Sequence, residues 1–285
     1  MGFIWTGLDE SSDRLQRKMF VVAGYLARQA EWTDIERHWM RRLEQEADPR
    51  PMRYFSSSEC MYLSGEFRRF RDPIKYPKPQ GRIAADAIKD DLQGILRSSS
   101  AMGFALGVNL KDYRAVRKSS RARQALLANP YENSYLMMMI VIAGKCEDDI
   151  PHRKGTETVA FLCDSHTRST NVQAVYNKLI DNNPECGPWM GSLTYMDNKK
   201  SPAIQAGDLL ASRCKELLIQ CLDDEDASTE HFKPILGRNV GVLCMDKSSL
   251  NKLVDANVLK KGKPSIYSTR YLPLFREIIK YTKDE

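Results

Sequence analysis

Short runs of apolar residues, rich in β-branched and aromatic side chains, recur along the chain and are separated by polar turns. This pattern is typical of buried strands. The runs that predict strands are residues 3–8, 20–27, 52–55, 101–108, 158–163 and 191–195. Only a short polar turn separates the first two, so we expect those strands to pair in antiparallel fashion.

Longer segments with helical spacing lie between and after these runs. Trp32, Ile35, Trp39 and Leu43 have the three- and four-residue spacing of an amphipathic helix over residues 31–43. Further helices are predicted to begin at residues 56–59 and to span residues 83–96, 131–146, 170–180 and 202–221. The predicted helix over residues 131–146 is apolar almost all round, which indicates a buried helix.

Strands that alternate with helices predict an α/β fold in which helices flank a mixed central sheet. A length of 285 residues and a hydrophobic content of 42% are sufficient for a sizeable core. We expect one main domain over residues 1–222. Residues 223–285 begin with an acidic run and lose strong periodicity, so we expect a C-terminal extension that packs on or beside the main domain.

The composition argues against several classes of protein. Seven cysteines without CxxC or CxH spacing argue against a zinc site and a disulfide scaffold, and they suit a reducing cytosol. No apolar run approaches the roughly 18 residues of a membrane helix and no secretory signal is visible, so we expect a cytoplasmic protein without a membrane partner. The Walker A and GxGxxG motifs of nucleotide-binding enzymes do not occur.

The formal net charge is +6, and the basic residues are unevenly distributed. The best candidate for contact with a phosphate backbone is the basic run at residues 111–123. The residues proposed for such contacts are Lys111, Arg114, Arg117, Lys118 and Arg121. A solvated helix face is the simpler interpretation of the same run. The charge is therefore compatible with nucleic acid as a partner but does not establish one.

Three aspartates stand at positions where a carboxylate is unusual. Asp9 and Asp164 each follow a predicted apolar strand, and Asp208 lies among the apolar residues of the last predicted helix. A buried carboxylate is costly unless it is paired or bound to a cation. Acids at strand ends and on a packed helix could converge across a sheet, and such a cluster of oxygen ligands suits Mg²⁺ or Mn²⁺.

The residues around these aspartates carry a family resemblance. The matching segments are Asp9-Glu10-Ser11, the strand at 20–27, the Phe-Leu-Cys-Asp run that ends at Asp164, and the Ile-Gln-Ala-Gly-Asp-Leu-Leu-Ala run around Asp208. Together and in this order they resemble the bacterial domain of unknown function 3800 family. That family is similar to the RNase H and retroviral integrase fold. The resemblance extends over about residues 3–222.

The resemblance implies an RNase H-like core with helical insertions and a divalent-metal-dependent nuclease that hydrolyses phosphodiester bonds in DNA or RNA. Asp9, Asp164 and Asp208 match the family's acids and would be both catalytic residues and ligands of Mg²⁺ or Mn²⁺. Glu10 matches the acid beside the first aspartate. Because neighbouring residues of a strand point to opposite faces, Glu10 ranks below Asp9 as a site residue.

The sequence departs from the family pattern close to the aspartates. Ser165 and His166 follow Asp164, whereas the family often has a glutamate directly after this aspartate. His166 could take over proton transfer beside a metal ion. Gln205 lies three residues before Asp208 and could hydrogen-bond to its carboxylate.

Simpler roles remain open for these acids. Asp9 could cap a turn and Asp164 could cap a helix. Asp208 has no basic residue three or four positions away, so a local ion pair does not explain it easily. The missing acid at position 165 also leaves a second function open. The chain could be a catalytically degenerate binding or scaffold protein, such as a subunit of a defence or mobile-element system.

Overall fold

A mixed β-sheet lies at the centre of the protein. The computed structural model describes residues 3–13, 15–46, 49–165, 169–223, 233–237 and 239–258. The strands in these residues are β1 (Phe3–Ser12), β2 (Met19–Arg28), β3 (Met102–Asn109), β4 (Thr158–Asp164), β5 (Met190–Met196) and β6 (Val240–Met245). They form one six-stranded sheet in the order β5-β4-β1-β2-β3-β6.

Strand direction determines which strand ends lie together. β1 is antiparallel to β2 and parallel to β4, and β2 is antiparallel to β3. The outer strands β5 and β6 run parallel to β4 and β3. The carboxyl ends of β1, β3, β4, β5 and β6 therefore meet at one edge of the sheet, together with the start of β2. We call this the carboxyl edge.

Helices cover both faces of the sheet. The described helices are α1 (Gln29–Glu44), α2 (Ser57–Tyr62), α3 (Gln80–Ser98), α4 (Leu110–Val116), α5 (Ser120–Ala125), α6 (Pro130–Asp149), α7 (Ser169–Asn182), α8 (Pro202–Asp223), α9 (Lys233–Leu236) and α10 (Lys247–Val258). One face packs against a core built with α4, α5, α6, α7 and α10. The other face packs against a core built with α1, α2, α3 and α8.

The predicted pattern of burial is present in these helices. α1 buries Trp32, Ile35, Trp39 and Leu43, the four residues whose spacing predicts an amphipathic helix. α6 is buried along nearly its whole length, because the sheet lies on one side of it and α7 on another. The prediction of an α/β fold with a mixed sheet flanked by helices is confirmed.

The predicted strand at residues 52–55 is wrong. This segment is irregular, although Met52 and Phe55 are fully buried in the core on the α8 face. The amide of Met52 donates to the carbonyl of Leu43, and the amide of Phe55 donates to the side chain of Gln205, so neither takes part in the sheet. A short apolar run indicates burial but does not distinguish a strand from a buried irregular segment.

Part of the C-terminal extension belongs to the sheet. β6 pairs with β3 through the register from Gly103 with Val240 to Val108 with Met245. α10 follows directly and packs against α4 and α5. No helix in the described part of the chain is long and apolar enough to cross a membrane.

Candidate active-site cleft

α8 lies directly on β1 and β2, and glycine allows this close approach. A Cβ atom at Gly207 would lie 2.9 Å from the carbonyl oxygen of Gly7 and 3.1 Å from the amide nitrogen of Asp9. A Cβ atom at Gly7 would overlap the backbone of Ala203. Backbone atoms cannot yield as a flexible side chain can. The two glycines therefore bring the helical backbone down onto β1 and place Asp208 near Asp9.

Three aspartates from three different elements lie on the α8 face of the sheet. Leu8 and Cys163 are register partners in β1 and β4, and both pack against the core on the opposite face. The next residues of these parallel strands, Asp9 and Asp164, therefore point toward α8, which carries Asp208. All three line one cleft of about 560 Å³ at the carboxyl edge, which we call the acidic cleft.

Each of the three carboxylates accepts a hydrogen bond from a backbone amide. Asp9 Oδ1 accepts from the amide of Glu10 at 2.7 Å, and Asp208 Oδ2 accepts from the amide of Ser57 at 2.7 Å. Asp164 Oδ1 accepts from the amide of Asn198 at 3.3 Å. Charge-assisted hydrogen bonds of this kind fix the direction of a carboxylate. Two of the amides come from segments distant in sequence, the start of α2 and a 3-10 turn at Asn198–Lys200, and these segments hold Asp208 and Asp164 in place.

The electrostatic surroundings disfavour negative charge in the cleft. Asp9 is 6% exposed, and its burial raises its pKa well above 3.8, with further increases from the charges of Asp208 and Glu10. Burial also raises the pKa of Asp208 to about 6, although the hydrogen bond from the Ser57 amide acts in the opposite direction. Two carboxyl groups are thus held close together at a cost that protonation or a cation would relieve.

Glu10 lies at the rim of the cleft and has a partner on the other side of the sheet. β1 continues to Ser12, so the side chains of Asp9 and Glu10 alternate between faces. The hydroxyl of Tyr135, on α6, donates to Glu10 Oε2 at 2.7 Å. Glu10 still lines the acidic cleft, because it stands near the end of its strand. His166, predicted as a proton-transfer group, lies outside the described residues.

Gln205 does not hydrogen-bond to Asp208, contrary to the prediction. Its Oε1 atom accepts from Trp39 Nε1 and from the amide of Phe55, both at 3.0 Å. Its Nε2 atom donates to the carbonyl of Asn198 at 2.9 Å. The side chain is 1% exposed and points from α8 toward the loops beside the cleft, which explains why it does not turn toward the carboxylate one helical turn away.

Lys215 also lines the cleft and was not predicted as a site residue. It lies seven residues after Asp208, two helical turns along the same face of α8. Its positive charge lowers the pKa of Asp208, and burial lowers the pKa of Lys215 itself. Arg213, the other basic residue that follows Asp208 closely on α8, pairs with Asp90 of α3 instead. A search at seven-residue spacing would have found Lys215, since residues i and i+7 share a helix face.

Serines and two apolar rim residues also line the cleft and were not predicted to do so. The serines are Ser11, Ser12, Ser56, Ser57, Ser58 and Ser212. The Ser57 hydroxyl is buried beside Asp208 without a hydrogen bond of normal geometry in the described structure. Met61 and Tyr62, at the end of α2, form an apolar part of the rim. The serine-rich run at 56–58 was the available signal, but only the fold places it opposite α8.

The basic segment begins at the same edge of the sheet as the cleft. α4 follows β3 without a loop, so its first residues stand at the carboxyl edge. Arg114 Nη2 donates to the carbonyl of Gln16 at 3.0 Å, and Gln16 lines the acidic cleft. Lys111 and Lys118 are exposed. Arg114 is therefore the candidate that the structure places beside the rim.

Of the two remaining basic candidates, Arg121 is paired within the protein and Arg117 is half-buried. Arg121 forms an ion pair with Asp255 of α10 at 3.0 Å. Arg117 is half-buried, and its Nε atom has no hydrogen-bond partner in the described part of the chain. These contacts give Arg121 a structural role of the kind expected for a surface ion pair.

The side chains in the cleft suit a hard divalent cation, but they are not preassembled around one. Carboxylate and hydroxyl oxygens are the ligands that Mg²⁺ and Mn²⁺ prefer. Among the described residues, however, no three His, Cys, Asp or Glu side chains lie close enough together to hold a metal ion. Asp9, Asp164 and Asp208 would therefore have to draw together around a bound ion.

Comparison with protein-family models finds no matching family, and comparison with curated proteins finds no significant match. What the acidic cleft does must therefore be inferred from its residues and their geometry.

Proposed function

We propose that the protein is a divalent-metal-dependent nuclease with an RNase H-like core, related to the domain of unknown function 3800 family. Asp9, Asp164 and Asp208 would hold Mg²⁺ or Mn²⁺. The observation that carries the proposal is the meeting of these three aspartates, from β1, β4 and α8, on one face of the sheet in one cleft. The mixed sheet flanked by helices supports the proposed core.

A cation explains an arrangement that is otherwise unfavourable. Asp9 is buried, and the charge of Asp208 raises its pKa further. Repulsion between carboxyl groups is tolerated at functional sites more often than elsewhere. The Ser57 amide and the Asn198 amide orient two of the carboxylates without neutralising them. A bound divalent ion would supply that neutralisation and, during hydrolysis, would activate water and stabilise the charge on the leaving oxygen.

Residues of the chain provide the other requirements for a phosphodiester substrate. Lys215 contributes a positive charge within the cleft, and Arg114 contributes one beside its rim. Both charges attract phosphate and would position a nucleic-acid backbone without reading its sequence. Glu10, held by Tyr135 at the rim, can accept a proton or a hydrogen bond from a substrate group at the cleft mouth.

Two observations favour the alternative of a non-cleaving binding protein. The described carboxylates do not form a preassembled ion site, and position 165 is a serine where the resembling family often has an acid. Such a protein would use the same cleft and the same basic residues to bind nucleic acid, but it would neither bind Mn²⁺ tightly nor hydrolyse a phosphodiester bond.

Titration calorimetry with Mn²⁺, combined with cleavage of mixed DNA and RNA substrates, tests the proposal. We expect the wild-type protein to bind Mn²⁺ and to cleave, and Asp208→Asn to lose both. Asp181→Asn is the matched control, because Asp181 is an exposed acid on α7, away from the cleft. Absence of Mn²⁺ binding by the wild type would refute the nuclease proposal and leave the binding protein.

A further inference from the structure

Two large apolar side chains are exposed at the rim of the acidic cleft. Met61 is 41% exposed and Tyr62 is 58% exposed, and both line the cleft that holds the three aspartates. Single exposed apolar residues are ordinary on protein surfaces. An adjacent pair that opens onto a polar cleft is less ordinary, because the apolar side chains gain nothing there from burial in the free protein.

The backbone under this pair is held firmly by two arginines. Arg82 Nη1 donates to the carbonyls of Cys60 and Met61, at 2.7 and 3.1 Å. Arg71 Nη2 donates to the carbonyl of Tyr62 at 2.5 Å. Basic side chains commonly satisfy the last carbonyls of a helix in this way. The last carbonyls of α2 are therefore paired, and the two exposed side chains project from a hydrogen-bonded helix end.

We propose that Tyr62, flanked by Met61, is a stacking platform for an unpaired nucleobase, so that the acidic cleft takes single-stranded nucleic acid. A tyrosine ring offers a flat apolar face, and every base has a π-face that can stack on it. The bases of a duplex are stacked on one another, so an aromatic side chain reaches their faces only where the strand is unpaired. The inference deepens the proposed function, since it assumes that the same cleft receives the phosphate backbone.

The platform and a positive charge line the same cleft. The basic residue Lys215 lies inside the cleft, and the aromatic ring of Tyr62 lies at its rim. Grooves that bind single strands without sequence preference combine these two features, a charged track for the backbone and aromatic rings for the bases. The base that stacks on Tyr62 would hold its neighbouring phosphate in the cleft beside the aspartates.

Binding measured without cleavage tests this inference. Fluorescence anisotropy of the full-length protein with labelled single-stranded and duplex oligonucleotides of mixed sequence is recorded in Ca²⁺ and again in EDTA. We expect Tyr62→Ala to weaken single-strand binding about 5- to 150-fold, the range for loss of one base–aromatic stack. Tyr62→Phe should bind within about twofold of the wild type, because it keeps the ring. Ile74→Ala is the control, since Ile74 is 92% exposed and does not line the cleft.

A base analogue gives a second readout that a purely structural change would not produce. 2-Aminopurine placed in the single strand loses fluorescence when it stacks, so quenching should appear with the wild type and Tyr62→Phe and be absent with Tyr62→Ala. Equal binding by Tyr62→Ala and the wild type would overturn the inference. So would an equal loss of duplex binding, a loss in Tyr62→Phe as large as in Tyr62→Ala, or no nucleic-acid binding by the wild type.

The outcomes separate this inference from the proposed nuclease activity. Single-strand binding that depends on Tyr62, without Mn²⁺ binding or cleavage, would uphold the stacking platform and refute the nuclease. Metal-dependent cleavage with binding that is indifferent to Tyr62→Ala would uphold the nuclease and refute the platform.

Discussion

Replacing Asp208 by asparagine should stabilise the metal-free protein at neutral and alkaline pH. Asparagine keeps an oxygen that can accept the hydrogen bond from the amide of Ser57. It removes a negative charge that raises the pKa of Asp9. The change therefore keeps the shape of the site and eliminates the repulsion between the two carboxylates.

The magnitude follows from the pKa of Asp208. A rise from 3.8 to about 6 on folding corresponds to about 3 kcal/mol of unfavourable free energy when the group is ionised. Between these two values the folded state binds more protons than the unfolded state, so the free energy of unfolding falls as the pH rises. The full cost is present above about pH 7 and is below about 1 kcal/mol near pH 4. Asp208→Asn should therefore gain up to about 3 kcal/mol at pH 8.

Thermal and urea unfolding in EDTA at pH 8 and pH 4 measure this difference. For a chain of this size the gain corresponds to a Tm increase of roughly 6–12 °C at pH 8 and little change at pH 4. Asp181→Asn removes a charge of the same sign from an exposed position and should leave Tm nearly unchanged at both values. If Asp208→Asn is no more stable than the wild type at pH 8, or is equally stabilised at both values, the cost inferred for an ionised Asp208, which arises chiefly from its burial, is absent.

Three further changes test the packing and the ion site. Gly207→Ala should destabilise the protein by about 1–3 kcal/mol despite the better helix propensity of alanine, because its Cβ would press on the β1 backbone. The control is Gly94→Ala in α3, where the new Cβ meets open space and should stabilise the protein slightly. Similar results for both variants would contradict the close contact at Gly207. In urea unfolding, Gln205→Leu should lower the free energy of unfolding by about 3 kcal/mol or more, since it leaves buried polar groups unpaired. The control is Gln173→Leu at a partly exposed position, whose free energy of unfolding should stay within about 0.5 kcal/mol of the wild type. Free Mn²⁺ at about 100 times its Kd should stabilise the wild type by about 2.7 kcal/mol but not Asp208→Asn, and equal stabilisation of both would place the ion elsewhere.

The fold was largely predictable because local patterns report burial. The spacing of Trp32, Ile35, Trp39 and Leu43 determines which face of α1 meets the core, and that information is contained in the segment itself. The prediction failed at residues 52–55, where burial does not arise from strand pairing. Similarly, β6 is only half-buried, so its residues give a weak signal for a strand. The place of β6 in the sheet depends on β3, a partner strand more than a hundred residues earlier.

The site was predictable only in part. Asp164 is the last residue of β4, whereas Asp9 lies inside β1, which continues to Ser12, and not after the strand as predicted. Parallel pairing of the two strands still brings the two acids together. The neighbours that orient the acids are not visible in the sequence, because Ser57 at the start of α2 and Asn198 in a 3-10 turn come from distant segments whose positions only the fold determines. Helical periodicity could have predicted that Lys215 lies on the same face of α8 as Asp208.

The side chain of Gln205 connects two of the three aspartates without touching either. It holds the amide of Phe55, two residues before the Ser57 amide that binds Asp208. Its other end holds the carbonyl of Asn198, whose own amide binds Asp164. The spacing between the two carboxylates depends on the segments that contain Ser57 and Asn198. Because the buried side-chain amide of Gln205 hydrogen-bonds both segments to α8, it also sets that spacing. The glutamine in the Ile-Gln-Ala-Gly-Asp run is therefore a positioning residue, and its role arises from contacts across the fold rather than from its separation from Asp208 along the helix.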